Sequence, residues 1–134
     1  MEEMEFEATV KNLAAVTEFV TSHLDDAVCP MAARMQIELA VDEIFTNICM
    51  YAYNPGTGKM TIRVETEEPG ILKLTFIDSG IPYNPLDKED PDTTLSAEDR
   101  KIGGLGIYLV KKSMDEMHYE RRDGKNILTL VKRL

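Results

Sequence analysis

Hydrophobic and polar positions alternate at the start of this chain, with Phe6, Ala8 and Val10 set against Glu5, Glu7 and Thr9. A period of two sends the two sets to opposite faces of a strand, so Met4 to Val10 reads as a half-buried strand. From Asn12 the period changes. Leu13, Val16, Phe19, Val20 and Leu24 recur at helical spacing, and Asn12 suits the start of that helix. Pro30 suits the first turn of a second helix, predicted to run to about Tyr53. Its deepest stripe is Val41, Ile44, Phe45, Ile48 and Ala52. At about 100° per residue, Glu43 and Asn47 fall on roughly the opposite side. One face of this helix therefore packs on a sheet while the other turns toward something polar.

Asn54-Pro55-Gly56-Thr57-Gly58 reads as a turn. Alternating strands follow at Lys59–Glu65 and Ile71–Asp78, joined through Pro69-Gly70 as a hairpin. Residues 79–102 lose all periodicity and carry Pro82, Pro85 and Pro91 among six acidic residues. A loop this long in a compact domain is functional or disordered, and Ser96 and Asp99 suit one short helical turn within it. Gly103-Gly104-Leu105-Gly106 then opens a helix expected to reach about Met117, with Ile107, Val110, Met114 and Met117 buried. The last strands, near His118–Arg122 and Asn126–Leu134, turn at Asp123-Gly124. The order βααββαββ predicts an α+β fold. It is a two-layer α/β sandwich with a mixed, mostly antiparallel sheet and helices on one face. No repeat or linker divides the 134 residues, so 1–134 reads as one domain.

Composition narrows the function. A net charge of -9 argues against nucleic acid as the main partner, because phosphate binding draws on clustered Lys and Arg. Small molecules or proteins are the expected partners. The acidic start Met1-Glu2-Glu3-Met4-Glu5 does not read as a signal peptide. No apolar run approaches the roughly 18–20 residues that cross a bilayer. The expected setting is cytoplasmic, with no membrane contact. Cys29 and Cys49 match no metal or redox motif, and a disulfide between them is disfavoured. Met31, Met35, Met50, Met114 and Met117 sit at helical positions and are expected in the core. His23 and His118 are isolated and read as structural or surface residues. Asp87, Glu89, Asp90 and Asp92 lack the spacing and glycine of a calcium loop and read as solvated.

Three short patterns carry candidate chemistry. Glu43 and Asn47 are one turn apart, so carboxylate and amide point the same way. A carboxylate takes a proton from a nucleophile, and an amide oxygen is a hard ligand suited to magnesium. Read alone, the pair is equally a polar face covered by water or a loop. Asp78 ends a strand, where its carboxylate can accept a hydrogen bond from an exocyclic amino group such as that of adenine. Gly80, with no side chain, would let a flat base approach the backbone. Alone, Asp-x-Gly is more often an ordinary turn. Glycines at 103, 104 and 106 expose N–H groups at a helix start, which suits a triphosphate. No Gly-Lys-Ser/Thr follows and no strand leads directly in, so this is neither a P-loop nor a dinucleotide fingerprint.

The order of the three patterns is more specific than any one of them. Glu43-x-x-x-Asn47, then Asp78-Ser79-Gly80-Ile81-Pro82-Tyr83-Asn84-Pro85, then Gly103-Gly104-Leu105-Gly106 resembles the boxes of the GHKL ATPases. Within them the chain is most similar to the small anti-sigma-factor serine/threonine kinases of bacteria, over nearly its whole length. The resemblance implies a Bergerat ATP-binding fold, with ATP and Mg2+ as ligands. It implies Glu43 as general base and Asn47 as magnesium ligand. Asp78 and Gly80 would read adenine, and Gly104, Leu105 and Gly106 would hold the phosphates under a lid at about 86–102. Arg100 and Lys101, the nearest cations before the glycines, would meet the γ-phosphate. Two positions depart from the pattern. Asn84 stands where the subfamily often has Asp, and Asn126-Ile127-Leu128-Thr129 lacks the small-residue-Thr start that helps bind adenine. Thr129 substitutes only if the register shifts.

The resemblance implies a protein kinase acting on a small anti-anti-sigma (STAS-type) protein, and a sigma factor as a further partner. A non-catalytic module that senses ATP or ADP through its lid is the alternative. An isolated histidine-kinase ATPase domain is disfavoured, since the chain shows no dimerisation helix with a phospho-acceptor His. A homodimer is left open, with the N-terminal strand as an available edge.

Overall fold

A computed structural model describes residues 1–87 and 105–134. Five strands form one sheet: β1 (Glu2–Glu7), β2 (Lys59–Glu65), β3 (Ile71–Asp78), β4 (Glu116–Arg122) and β5 (Lys125–Arg133). Their order is β1-β2-β3-β5-β4, and every pairing is antiparallel where a mixed sheet was expected. The three α-helices are α1 (Leu13–Thr21), α2 (Met31–Asn47) and α3 (Leu105–Ser113). The α+β sandwich read from the sequence is the observed architecture. Among the described residues, no helix is long and apolar enough to cross a membrane.

The core lies between sheet and helices because each strand alternates. Met60, Ile62 and Val64 on β2, Leu72, Leu74 and Phe76 on β3, and Leu128 and Leu130 on β5 all face inward and are buried. Against them α2 sets Ile37, Ala40, Val41, Ile44 and Phe45. Phe45 and Phe76 are among the largest fully enclosed side chains. Truncating either to Ala is expected to cost about 3–5 kcal/mol. The Asp123-Gly124 turn holds both residues at positive φ, 54° and 75°, the geometry a two-residue hairpin requires.

Four local expectations change. The first strand is Glu2–Glu7, because the chain leaves the sheet at Ala8 and turns at Val10–Asn12 before α1. The second helix is regular only to Asn47 and then widens into a π-helical turn, Ile48–Ala52. Such turns recur at functional sites. The third helix stops at Ser113, whose Oγ donates to the carbonyls of Leu109 and Val110. Asp115 then docks on β5 through its N–H to Val131 O and its Oδ2 from Arg133 N. Met117 still faces the core, but from β4 opposite Leu130. Finally, Met31, Met35 and Met50 are 69%, 62% and 50% exposed rather than buried. Spacing of i, i+4 fits either side of a helix. Here α2 presses Ala33, Ile37 and Ala40 inward and leaves Met31, Met35 and Leu39 outside.

The two histidines and the two cysteines behave as read. His23 Nδ1 lies 2.6 Å from Phe19 O at the end of α1, and His118 pairs with Glu116 at 3.4 Å. Both cysteines are free thiols.

Candidate nucleotide site

The site forms where α2, its π-helical extension and one end of the sheet meet. Ile44, Asn47, Ile48 and Ala52 line a cavity from the helix side. Phe76 and Asp78 on β3, Tyr119 on β4, and Asn126 and Leu128 on β5 line it from the sheet, while Tyr83 and Pro85 close it. The cavity is partly open, and its volume is about 30 Å³, room for one or two water molecules.

Asp78 is 6% exposed, and among the described residues both hydrogen bonds to it fall on Oδ1. Gly80 N donates one at 2.9 Å, and Asn126 Nδ2 donates the other at 2.9 Å. Oδ2 is therefore the carboxylate oxygen left to accept from a ligand. The apolar walls strengthen such a bond by excluding water.

Gly80 has a packing use that the sequence did not show. A Cβ there would overlap the carbonyl and Cβ of Ala52. The glycine lets the turn after β3 press on the π-helical segment, where Ile81 N donates to Ala52 O at 2.9 Å. Tyr53 tightens the same corner. Its hydroxyl donates to Lys59 O at 2.6 Å and accepts from Ser79 N at 2.8 Å. Burial raises this phenol above its ordinary pKa, so it stays a donor. Asn84 does locally what a carboxylate would do, its Oδ1 accepting from Leu86 N at 2.9 Å.

Glu43 and Asn47 are both half-buried. The Glu43 carboxylate lies against α3 at Gly106, where an added Cβ would fall onto it. The first box thus meets the third across the α2–α3 contact, and Asn47 meets Asp78 across the cavity. Gly104, Arg100, Lys101, Ser96, Asp99 and residues 88–102 of the predicted lid lie outside the described residues. Leu105 begins α3.

Thr129 is not part of this site. It pairs with Thr75 and His118 and lies on the sheet face away from the helices, in a groove with Glu65, Lys73 and Val131. β5 alternates, and its inward residues are Asn126, Leu128 and Leu130. Sequence reasoning missed Asn126, Tyr119 and Arg121. Asn126 is 5% exposed and bonds both Asp78 and Ile81 O, and Arg121 Nη1 donates to Gly80 O at 2.8 Å. A polar residue at an inward position of an alternating strand was the available signal for Asn126.

Residues 6–132 match the model of the histidine kinase-like ATPase domain. The chain is 34% identical to serine/threonine-protein kinase BtrW of Bordetella bronchiseptica, over 73% of this chain and 69% of that one. It is 29% identical to serine-protein kinase RsbW of Bacillus licheniformis, over 68% of this chain but only 60% of that protein's length. It is 24% identical to the anti-sigma F factor of Clostridium acetobutylicum, over 93% of this chain and 80% of that one.

Proposed function

The chain belongs to the histidine kinase-like ATPase domain family, and from that premise we propose an ATP-binding regulator of the anti-sigma kinase type. In this reading it is a protein serine/threonine kinase that phosphorylates an anti-anti-sigma, STAS-type partner and can engage a sigma factor. It works in the cytoplasm. Residues 1–134 form one nucleotide-binding unit, with 86–102 as lid. The observation that carries the proposal is that Asn47 of α2 and Asp78 of β3 line one cavity, while Glu43, one turn before Asn47, lies against Gly106 in α3. The names of the relatives, two protein kinases acting on serine or threonine and an anti-sigma factor, support this reading.

The residues present fit the ligands. The apolar walls of Ile44, Ile48, Phe76 and Leu128 suit a flat base, and the free oxygen of Asp78 suits its amino group. Phosphates then extend toward α3, whose first N–H groups and positive end attract them. Among the described residues, no group of three or more His, Cys, Asp or Glu could hold a metal. One amide oxygen, from Asn47, completed by phosphates and water, is the sparse protein contribution magnesium accepts. When bound, magnesium neutralises charge on the transferring phosphoryl group. Glu43 accepts the proton of the attacking serine or threonine hydroxyl. That oxygen bonds the γ-phosphorus while the bond to the bridging oxygen breaks, and ADP leaves.

The test is transfer of labelled γ-phosphate from ATP to candidate STAS-type partners with magnesium present. Transfer that disappears in Glu43→Ala supports the kinase. Tight ATP binding with no transfer to any cognate partner, and regulation unchanged in Glu43→Gln, would establish the sensing module instead.

A further inference from the structure

Asn126 makes four hydrogen bonds at the cavity. Its Nδ2 donates to Asp78 Oδ1 at 2.9 Å and to Ile81 O at 2.8 Å. Its Oδ1 accepts from Tyr83 N at 3.2 Å and from the Tyr119 hydroxyl. A primary amide has two donor hydrogens and an acceptor oxygen with two lone pairs, so Asn126 is fully used. Nothing else on β5 does this, since Leu128 and Leu130 complete the inward row with apolar side chains.

The consequence falls on Asp78. A lone carboxylate at a strand end rotates about χ2 and presents either oxygen, or neither, to a ligand. Here Gly80 N and Asn126 Nδ2 both hold Oδ1, which restrains rotation of the carboxylate and leaves Oδ2 as its acceptor for a ligand in the cavity that Asp78 lines. Gly80 N is part of the local turn and is present in any Asp-x-Gly. The Asn126 bond comes from 48 residues away and is peculiar to this register. The same amide holds the carbonyl of Ile81 and the N–H of Tyr83, on the segment that forms the outer wall.

We propose that Asn126 is the positioning residue for base selection: it orients Asp78 to accept from a 6-amino purine and ties that orientation to the Ile81–Tyr83 wall. The proposal rests on the nucleotide reading above. It assigns Asn126 no contact with the reacting atoms.

The experiment measures dissociation constants for ATP and for purine riboside triphosphate, which lacks only the 6-amino group. The full chain is used, with magnesium, as wild type, Asn126→Ala and the near-isosteric Asn126→Leu, each checked for folding by circular dichroism. Wild type is expected to prefer ATP by about tenfold, the value of one hydrogen bond to a charged acceptor. In the folded variants that preference is expected to fall to about twofold, with affinity for the analogue changed far less. A merely structural role would weaken both nucleotides together and keep their ratio. A ratio near the wild-type value in either folded variant overturns the assignment of Asn126 and leaves the nucleotide reading intact. A wild-type chain that binds both nucleotides without preference overturns the base-selection proposal alone, and one that binds neither overturns the nucleotide reading with it.

Discussion

The Glu43 carboxylate occupies the space that a side chain at Gly106 would take. Residues 63 positions apart in sequence thereby share one volume at the start of α3. The flexible end of Glu43, rather than backbone, is what a methyl group would displace.

Gly106→Ala is therefore expected to separate stability from chemistry. The melting temperature should fall by no more than about 3 °C, since a long side chain swings aside at small cost. Phosphate transfer should fall by about a hundredfold, the usual effect of displacing a catalytic group by about 1 Å. Melting curves and single-turnover transfer on the same preparation check both halves. Equal rates in mutant and wild type would remove Glu43 from the proposed chemistry.

Gly80→Ala is expected to do the reverse. The overlap is with the carbonyl of Ala52, which is backbone and cannot swing aside. Overpacking of this kind costs about 1–3 kcal/mol, or roughly 3–10 °C in a chain of this size. Urea titration measures it, and an unchanged midpoint would mean the corner opens freely.

Asn47 is expected to account for the magnesium dependence of nucleotide binding. Removing the metal with EDTA should weaken ATP binding by the wild-type chain on the order of tenfold. In Asn47→Ala the affinity should already be low and should not respond to EDTA. Calorimetry with and without magnesium makes the comparison. A full EDTA effect in the mutant would assign the metal elsewhere.

The thiols are expected to be slow. Burial pushes Cys49 from 9.0 up to about 11, and burial raises Cys29 as well. At about pH 8 roughly one Cys49 in a thousand is thiolate, against roughly one in ten of thiols at the ordinary 9.0. Alkylation by iodoacetamide should therefore run about a hundredfold slower than in urea. The linkage has a definite sign. The folded state keeps its proton, so the Cys49 contribution to stability is complete below about pH 9 and is lost between about 9 and 11. Stability that rose over that window would contradict the burial.

Much of this fold was legible because periodicity is local. The limits of β2 and β3 follow from alternation alone, and the inward stripe of α2 follows from helical spacing. Periodicity fails where two stripes share one spacing, which is why Met31 and Met35 belong outside while Ile37 and Val41 lie inside. It also fails at Met117, because this inward strand position follows buried Met114, just past the end of α3, by three residues.

The sequence by itself determined which residue types stand on which elements: an acid and an amide one turn apart on α2, an acid at the end of β3, and glycines before α3. These depend only on the number of residues per turn or per pleat. Tertiary structure alone decided what each of them faces. Asp78 meets Asn126 because β3 pairs β5 in one particular register, which also turns Thr129 to the far side of the sheet. Gly80 yields to Ala52 and Gly106 to Glu43 because helices and sheet close to contact distance there. Such choices come from packing between segments distant along the chain, and no local period encodes them.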